Sequence, residues 1–158
     1  MTPKKTWQEK LENDKNLPRI ETFDKKSKNW PPGTYVIPAP REVNAIMKMV
    51  PRGKLITINE IRRILADRHG AMYGCPITTG IFSWIAANAA QEELAAGKKE
   101  ITPYWRTLKT DGELNPKYPG GLENLKSRLQ AEGHKVIQKG RSKKLIVADY
   151  EKSLVKIK

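Results

Sequence analysis

The segment Pro103-Tyr-Trp-Arg106 brings together the residue types best suited to site chemistry in this chain. It is short and follows a proline, so it favours a turn over a helix, and functional side chains are often presented on turns. Its centre, however, carries two large aromatic side chains, Tyr104 and Trp105, where a reactive site would need a polar nucleophile. The segment therefore has the setting of a site without an obvious reacting group.

Cys75 is the only cysteine and the other candidate nucleophile. It stands between Gly74 and Pro76, directly before a helical pattern, and a helix N-terminus lowers the pKa of a thiol. A lone cysteine is otherwise a small packing residue, so both interpretations stay open. One cysteine excludes an intramolecular disulfide and a Cys-rich zinc site, and it fits a reducing cytosol. We therefore expect a cytoplasmic protein without a metal or a cofactor.

Positive charge is the dominant feature of the composition. Thirty Lys and Arg against seventeen Asp and Glu give the 158 residues a formal net charge of +13. This favours polyanionic partners such as nucleic acid, although solvated lysine-rich faces would give the same excess. Residues 122–158 and 40–70 carry most of the excess, whereas residues 77–97 carry two glutamates and no cation. No run reaches the roughly eighteen apolar residues of a membrane span, so we expect no membrane partner.

The length suits one domain with a normal core. Residues 1–39 are polar and interrupted by prolines, which predicts an extended N-terminal arm with one short helical pattern and a stretch near Tyr35 that runs over the body. Residues 40–150 carry the periodic patterns of the body. Residues 151–158 form a basic tail.

Apolar spacing in the body predicts four helices. The first covers Val43 to Val50, and the second begins at a capping box, Thr57-Ile-Asn-Glu60, and ends at Gly70. The third and longest runs from about Thr78 to Ala96, with Ile81, Trp84, Ile85 and Leu94 on an apolar side and small residues over much of the rest. The fourth carries Leu122, Leu125 and Leu129 and stops at Gly133.

Two strand patterns follow, over residues 135–139 and 144–149, and a four-residue turn joins them. Helices followed by a basic hairpin predict a mainly α fold with a small β hairpin, arranged as a winged-helix body with the N-terminal arm attached. The basic hairpin residues would act as a wing on phosphates, or as lysines that protect a sheet edge.

The motifs occur in a characteristic order, which is Pro51-Arg-Gly-Lys-Leu-Ile-Thr-Ile, the small-residue helix with Asn88, Pro103-Tyr-Trp-Arg106, and Gly120-Gly-Leu before Glu132-Gly133. Over residues 40–134 this order resembles the DNA-binding domain of methylated-DNA-protein-cysteine methyltransferases. It also resembles the alkyltransferase-like proteins, which lack the nucleophilic cysteine. The resemblance implies a winged-helix fold in which one helix enters the minor groove of DNA.

The resemblance also implies that the chemistry has been lost. In that family a flipped alkylguanine meets a thiolate that is activated through a histidine and a glutamate. By motif, Tyr104 stands at the nucleophile position and Trp105 at the histidine position, and neither can do that work. Arg106 and Glu132 match the family and remain as hydrogen-bond partners. The family's nucleotide-rotating tyrosine falls at Ile58 and its arginine near Thr79, so this chain has neither.

We therefore expect a non-catalytic, monomeric protein that binds duplex DNA, alkylated DNA included, in a DNA-repair context. The alternatives are a divergent repair methyltransferase that uses Cys75, and an RNA-binding or scaffold module. The aromatic pair Tyr104 and Trp105 either stacks a base, worth roughly 1–3 kcal/mol, or fills the cavity that the enzymes keep open. The predicted pocket residues are Tyr104, Trp105, Arg106, Asn88 and Glu132, and the predicted nucleic-acid contacts are Thr79, Ser83, Ala87, Lys54, Arg62, Arg63, Lys139, Arg141 and Lys143.

Overall fold

The computed structural model describes residues 6–24 and 30–157, and the predictions for residues 1–5, 25–29 and 158 of the arm and tail lie outside the described residues. Within these ranges helices outweigh strands, which confirms the prediction of a mainly α chain. The helices are α1 (Trp7–Glu12), α2 (Pro40–Lys48), α3 (Ile58–His69), α4 (Pro76–Ala95) and α5 (Gly121–Ala131). The strands are β1 (Arg19–Phe23), β2 (Gly33–Ile37), β3 (Ile56–Thr57), β4 (Tyr73–Gly74), β5 (Thr107–Leu108), β6 (Val136–Gln138) and β7 (Leu145–Val147).

The strands form three small sheets instead of the single hairpin that the sequence predicts. One sheet has the order β1-β2-β4, the second pairs β3 with β5 in parallel, and the third pairs β6 with β7. The predicted basic hairpin is the third sheet, antiparallel with Val136 opposite Val147. The other two sheets join segments that are far apart in the sequence.

Helix α4 is the element on which α1, α2 and α3 pack. The sequence leaves the small-residue face of this helix free to approach another surface, but the structure turns that face inward, and Ala86, Ala87 and Ala90 are buried. Small side chains let the neighbouring helices come close to the α4 backbone. The larger residues Ile81 and Trp84 stay 45% and 37% exposed on the outer side.

The segment predicted as an arm contributes structure to the body. The Trp7 ring of α1 packs edge-on against Trp84 with 4.7 Å between ring centroids. The Glu92 carboxylate accepts hydrogen bonds from the backbone N–H groups of Trp7 and Gln8, each at 3.1 Å. A carboxylate at a helix N-terminus is favourable because the unpaired N–H groups there carry partial positive charge. Helix α1 is thus fixed to α4 at its first turn.

Helix α3 begins and ends as its sequence predicts. The Thr57 hydroxyl accepts a hydrogen bond from the Glu60 N–H at 3.2 Å, and Gly70 ends the helix in a left-handed conformation with φ 69°. The Glu60 carboxylate, however, accepts from the Arg63 guanidinium at 2.6 Å. The threonine half of the capping box is therefore confirmed, and the glutamate makes an ion pair along the helix surface.

The chain end also docks on the body. The Val155 N–H donates to the Leu55 carbonyl at 2.8 Å, and the Leu55 N–H donates to the Ser153 carbonyl at 2.9 Å. These hydrogen bonds place the predicted basic tail beside the residue that precedes β3. Within the described ranges, no helix has both the length and the apolar character needed to cross a membrane.

Gly74 tests the packing of β4 on α3. A Cβ at this position would lie 2.6 Å from the Arg62 carbonyl oxygen, and backbone atoms cannot give way as the end of a flexible side chain can. We expect Gly74→Ala to lower the free energy of unfolding by about 1–3 kcal/mol in urea denaturation. The matched control is Gly80→Ala in α4, where a Cβ would meet nothing within 4 Å. Alanine is the better helix former, so the control should be neutral or stabilising by up to about 1 kcal/mol. Equal losses in both variants would contradict this packing.

Candidate functional site

The segment Pro103-Tyr-Trp-Arg106 folds as one turn of 3-10 helix, Tyr104–Arg106, and is fixed at both ends. Before it, the Thr102 hydroxyl donates to the Asn44 side-chain oxygen at 2.7 Å in the protein interior. After it, the chain enters β5, which pairs in parallel with β3 so that Thr107 lies opposite Ile56. The turn predicted from the sequence is therefore present, and the core holds it rigidly.

Tyr104 fills the space at the centre of the site. Its side chain is 0% exposed, and its ring packs edge-on against Tyr118 with 6.1 Å between centroids. Its hydroxyl accepts a hydrogen bond from the Asn124 amide at 3.0 Å and lies 3.4 Å from the Gln91 side-chain oxygen. A base cannot stack on a ring that has no exposed face. Of the two interpretations, the filled cavity is the one that agrees with this geometry.

The Trp105 ring is also shielded from solvent. Its indole N–H donates to the Glu132 carboxylate at 2.7 Å, and the Arg128 guanidinium lies over its ring at 4.4 Å from the centroid. Only 9% of the residue is exposed. The indole nitrogen is a donor only, so it cannot accept a proton as the histidine of the resembled enzymes does. Trp105 therefore acts as a structural donor to Glu132.

Glu132 and Arg106 form a buried ion pair, with side chains 4% and 13% exposed. The guanidinium donates to both carboxylate oxygens at 2.8–3.1 Å and, through its other terminal nitrogen, to the Val50 carbonyl at 2.7 Å. The Gly53 N–H donates to the same carboxylate at 3.2 Å. Burial by itself would raise the pKa of Glu132. The hydrogen bonds from Arg106, Trp105 and Gly53 outweigh burial and lower that pKa.

Two neighbouring groups are held in their neutral forms. Burial lowers the pKa of His134, with the Arg106 charge acting in the same direction against the Glu132 charge. Burial raises the pKa of Tyr118 to about 12, although its hydrogen bonds to Ser83 and Asn115 oppose that shift. The Tyr118 hydroxyl donates to the Ser83 hydroxyl at 2.9 Å. A phenol with a pKa near 12 stays protonated near neutral pH, so Tyr118 supplies neither a base nor a nucleophile there.

Asn88 does not share the contacts of the other predicted pocket residues. Its amide donates to the Trp84 carbonyl of its own helix at 2.9 Å. The amides that meet the Tyr104 hydroxyl belong to Gln91 and Asn124. No sequence signal identified Gln91, and Asn124 follows the Gly120-Gly-Leu motif without any distinguishing spacing. The positions around Tyr104 depend on how α4 and α5 are rotated about their axes, and tertiary packing sets those rotations.

Three predicted nucleic-acid contacts are wrong, because Thr79, Ser83 and Ala87 are each 0% exposed. The Thr79 hydroxyl donates to the Cys75 carbonyl at 2.6 Å, and the Ser83 hydroxyl donates to the Gly80 carbonyl at 2.7 Å. Their hydroxyls are therefore satisfied inside the protein. The exposed positions on the same half of α4 are Ile77, Ile81 and Trp84.

Two of the predicted phosphate-binding arginines are already engaged. Arg63 pairs with the carboxylates of Glu60 and Asp67, each at 2.6 Å. Arg62 donates to the Gly74 carbonyl at 2.9 Å and to the Asn59 side chain at 3.1 Å. The charge of Arg63 is compensated within α3, and the Arg62 side chain supports β4. The positive surface predicted for this helix is therefore weaker than its composition indicates.

The hairpin cations remain available. Residues 135–147 contain five cations and no carboxylate. All five side chains are exposed, and none has an ion-pair partner in residues 6–24 and 30–157. Lys54 is likewise exposed and without an ion pair in this part of the chain. The five hairpin cations are Lys135, Lys139, Arg141, Lys143 and Lys144, of which Lys139, Arg141 and Lys143 belong to the predicted contact set.

Two adjoining open grooves lie along the first half of α4, and one of them reaches this hairpin. That groove, of about 390 Å³, is lined by Ile58, Gly80, Lys139 and Lys144 and also by the carboxylates of Asp111 and Glu113. The second, of about 420 Å³, lies along Ile77, Ile81 and Trp84 and reaches Lys117. Both share Gly80 and Asn115. The exposed half of α4 and the basic hairpin therefore border one continuous surface.

Cys75 lies in a structural position. It is 6% exposed and caps α4, with its sulfur 3.5 Å from the Thr78 N–H. This agrees with the packing interpretation of the cysteine. In the part of the chain that the structure describes, no three His, Cys, Asp or Glu side chains are grouped closely enough to hold a metal ion.

No family model matches the sequence, and no curated protein matches it. Among solved structures, the crystal structure of S. pombe Atl1 in complex with damaged DNA containing O6-carboxymethylguanine matches with a TM-score of 0.49 and 19% sequence identity. The match covers 75% of this chain and 94% of the other. Atl1 is an alkyltransferase-like protein, the class that the motif order of this chain resembles.

Tyr104 variants test whether the cavity is filled. We expect Tyr104→Ala to lower the free energy of unfolding by about 3–5 kcal/mol, because it leaves a large cavity between α4 and α5. Tyr104→Phe keeps the ring and loses only the hydroxyl contacts, so it should cost about 1 kcal/mol. Urea denaturation measures both. A Tyr104→Ala variant as stable as Tyr104→Phe would show that the side chain fills no cavity.

The Glu132 carboxylate should govern stability in acid. Its pKa is lower in the folded protein than the value of 4.5 for a free side chain, so its contribution is complete above about pH 4.5 and is lost as the pH falls further. Glu132→Gln leaves Arg106 without a counter-charge, and we expect it to cost about 3 kcal/mol at pH 7 and to flatten the dependence of Tm on pH below 4.5. Glu123→Gln, exposed in the first turn of α5, is the control and should cost less than about 1 kcal/mol. An unchanged acid profile in Glu132→Gln would contradict this assignment.

Proposed function

We propose that this protein is a non-catalytic DNA-binding protein that recognises duplex DNA, alkylated DNA included, in a DNA-repair context. The observation that carries the proposal is a set of five cations on the β6–β7 hairpin, beside the exposed half of α4, that have no ion-pair partner among the residues that the structure describes. Cations free of internal partners can neutralise phosphates and release their counterions, which supplies most of the affinity of basic proteins for DNA. A winged-helix arrangement, with the hairpin as the wing, belongs to this proposal.

The residues at the centre of the site support the proposal that the protein does not turn over a substrate. Alkyl transfer to a protein requires a strong nucleophile and a group that accepts its proton. Tyr104 is buried with its hydroxyl hydrogen-bonded, and the Trp105 nitrogen already donates to Glu132. Cys75 lies at a helix N-terminus but is only 6% exposed, and this burial argues against the alternative of a methyltransferase that uses it.

The DNA-facing residues of α4 differ from those that the sequence predicts. Because Thr79, Ser83 and Ala87 are buried, the side chains that would approach a groove are Ile77 and Ile81, with Gly80 between them. Apolar side chains suit the minor groove, where architectural proteins insert them against base steps. Lys139 and Lys144 across the neighbouring groove would then meet phosphates.

The location and the assembly state complete the proposal. A monomer suffices for this contact surface, because helix and hairpin come from one chain. We place it in the cytoplasm on the basis of its single cysteine. RNA remains the competing partner, because phosphate contacts by themselves do not distinguish RNA from DNA.

Charge reversal on the hairpin tests the proposal. We expect wild-type protein to bind a labelled duplex at about 50 mM salt, and the double variant Lys139→Glu/Lys144→Glu to bind far more weakly, with a slope of log affinity against log salt reduced by about 2 or more. Lys48→Glu/Lys99→Glu makes the same change in net charge at the other end of α4 and is the control. Fluorescence anisotropy over a salt series measures all three proteins. Equal losses in the two double variants would show an effect of net charge only, and undetectable binding by wild type would refute the proposal.

The same titrations separate the alternatives. An alkylguanine duplex replaces the plain one, and the intact mass of the protein is measured after incubation. A methyl group on Cys75 would refute the non-catalytic assignment. Stronger competition by duplex RNA than by duplex DNA at equal salt would replace DNA by RNA as the partner.

A further inference from the structure

A third groove, distinct from the proposed DNA surface, lies at the far end of α4. Its volume is about 470 Å³, and it runs between the ends of α2 and α4 and the turn at Pro103. Gly80 lines the proposed DNA surface and Leu94 lines this groove, and their separation of fourteen positions corresponds to about 21 Å along the helix axis. A molecule in this groove would therefore lie apart from one bound at the hairpin. The residues that line it are Lys48, Val50, Pro51, Arg52, Leu94, Lys99, Glu100, Ile101, Pro103, Trp105, Arg106 and Arg128.

The groove is strongly cationic. Five of its lining residues are basic, and Glu100 is the one carboxylate among them. Arg106 is neutralised by Glu132. The other four, Lys48, Arg52, Lys99 and Arg128, have no ion-pair partner within residues 6–24 and 30–157. The groove thus concentrates uncompensated positive charge without the help of the hairpin.

Two of these cations are already held in place. The Arg128 guanidinium lies over the Trp105 ring at 4.4 Å, and its Nε donates to the Asn124 side-chain oxygen at 3.2 Å. Arg52 donates from one terminal nitrogen to the Ala131 carbonyl at 2.8 Å. A guanidinium fixed in this way keeps other N–H groups for a ligand and loses little freedom when it binds a carboxylate bidentately.

Part of the groove floor is apolar. Leu94 and Ile101 are half-buried side chains that line the groove together with the cations, whereas Val50 and Pro103 are buried beneath its surface. A phosphodiester backbone would satisfy the cations and leave Leu94 and Ile101 uncovered. Trp105, the aromatic residue in this lining, is 9% exposed and lies beneath Arg128, so its ring offers little surface for a base. Cations beside two accessible apolar side chains match a peptide in which acidic and apolar side chains alternate.

We propose that this groove is the docking site for an acidic, apolar-containing segment of a partner protein. Carboxylates of the segment pair with Arg128, Arg52 and the two lysines, and an apolar side chain covers the floor beside Pro103. The protein then has two contact surfaces, one at each end of α4. This inference goes beyond the proposed function and does not depend on it.

The probe is a short synthetic peptide of Glu-Glu-Leu repeats, compared with a Gln-Gln-Leu peptide of equal length. Titration is followed by the NMR signals of the Trp105 indole N–H and the Arg128 Nε–H. We expect saturable shifts at both signals with the acidic peptide and at least about tenfold weaker binding of the glutamine peptide. Lys48→Glu/Lys99→Glu should weaken the acidic peptide about tenfold, whereas the hairpin variant Lys139→Glu/Lys144→Glu should leave its affinity unchanged.

A misfolded variant would lose affinity for the peptide, so a variant that is expected to gain affinity tests the proposal independently of folding. Glu100→Lys removes the one carboxylate that lines the groove among the described residues, so we expect it to bind the acidic peptide several-fold more tightly. Equal binding of the two peptides, shifts confined to the hairpin, or displacement of the peptide from Trp105 by a DNA duplex would each overturn the proposal. Loss of DNA binding in the hairpin variant with intact peptide binding would show that the two surfaces act independently. Failure of DNA binding by wild type would leave the peptide result unaffected.

Discussion

The centre of this structure depends on the ion pair and the hydrogen bonds of the Glu132 carboxylate. This carboxylate accepts hydrogen bonds from Arg106, from the Trp105 indole and from the Gly53 backbone, so it joins the end of α5, the 3-10 turn and the link between α2 and β3. Arg106 extends the network to the Val50 carbonyl. A buried charge is tolerated only when it is paired and hydrogen-bonded, and here each partner also fixes a segment of backbone. The same carboxylate therefore positions the site and closes it.

Around this ion pair, the site has become part of the core. Tyr104 and Tyr118 occupy the space between α4 and the Gly-rich loop, and their hydroxyls find partners in Asn124 and Ser83. Large rings add buried apolar area, and the satisfied hydroxyls remove the penalty of burying polar atoms. The place where the resemblance implies chemistry is thus a packed interior in which both tyrosine hydroxyls are hydrogen-bonded. Any recognition must take place on the surrounding surfaces.

Helix α4 separates the two surfaces that are proposed to bind partners. Its small residues face inward and allow three other helices to approach. Its outer face carries little charge, and α1 covers one part of that face while another part stays exposed. The cations lie at its two ends, on the β6–β7 hairpin and around Arg128. The net charge of +13 is therefore distributed over separate patches, and part of it is consumed internally, as the ion pairs of Arg63 show. Composition indicates a polyanionic partner, and the pairing pattern indicates which cations remain free to meet it.

Local signals determined much of this protein. Apolar spacing, the Thr57 cap, the glycine stops and the strand patterns around Gly140 predicted the four body helices and the hairpin, because each depends on neighbours within a few residues. The sequence also shows two large aromatic residues, Tyr104 and Trp105, at the positions where the resemblance implies a nucleophile and a base. Tertiary structure decided which face of α4 is buried, and so excluded Thr79, Ser83 and Ala87 from contact. It also placed Gln91 and Asn124 on Tyr104, turned Arg62 and Arg63 to internal partners and docked α1 on Trp84. Helical periodicity defines two faces of a small-residue helix without ranking them, and only the elements that pack against α4 decide which face meets the solvent.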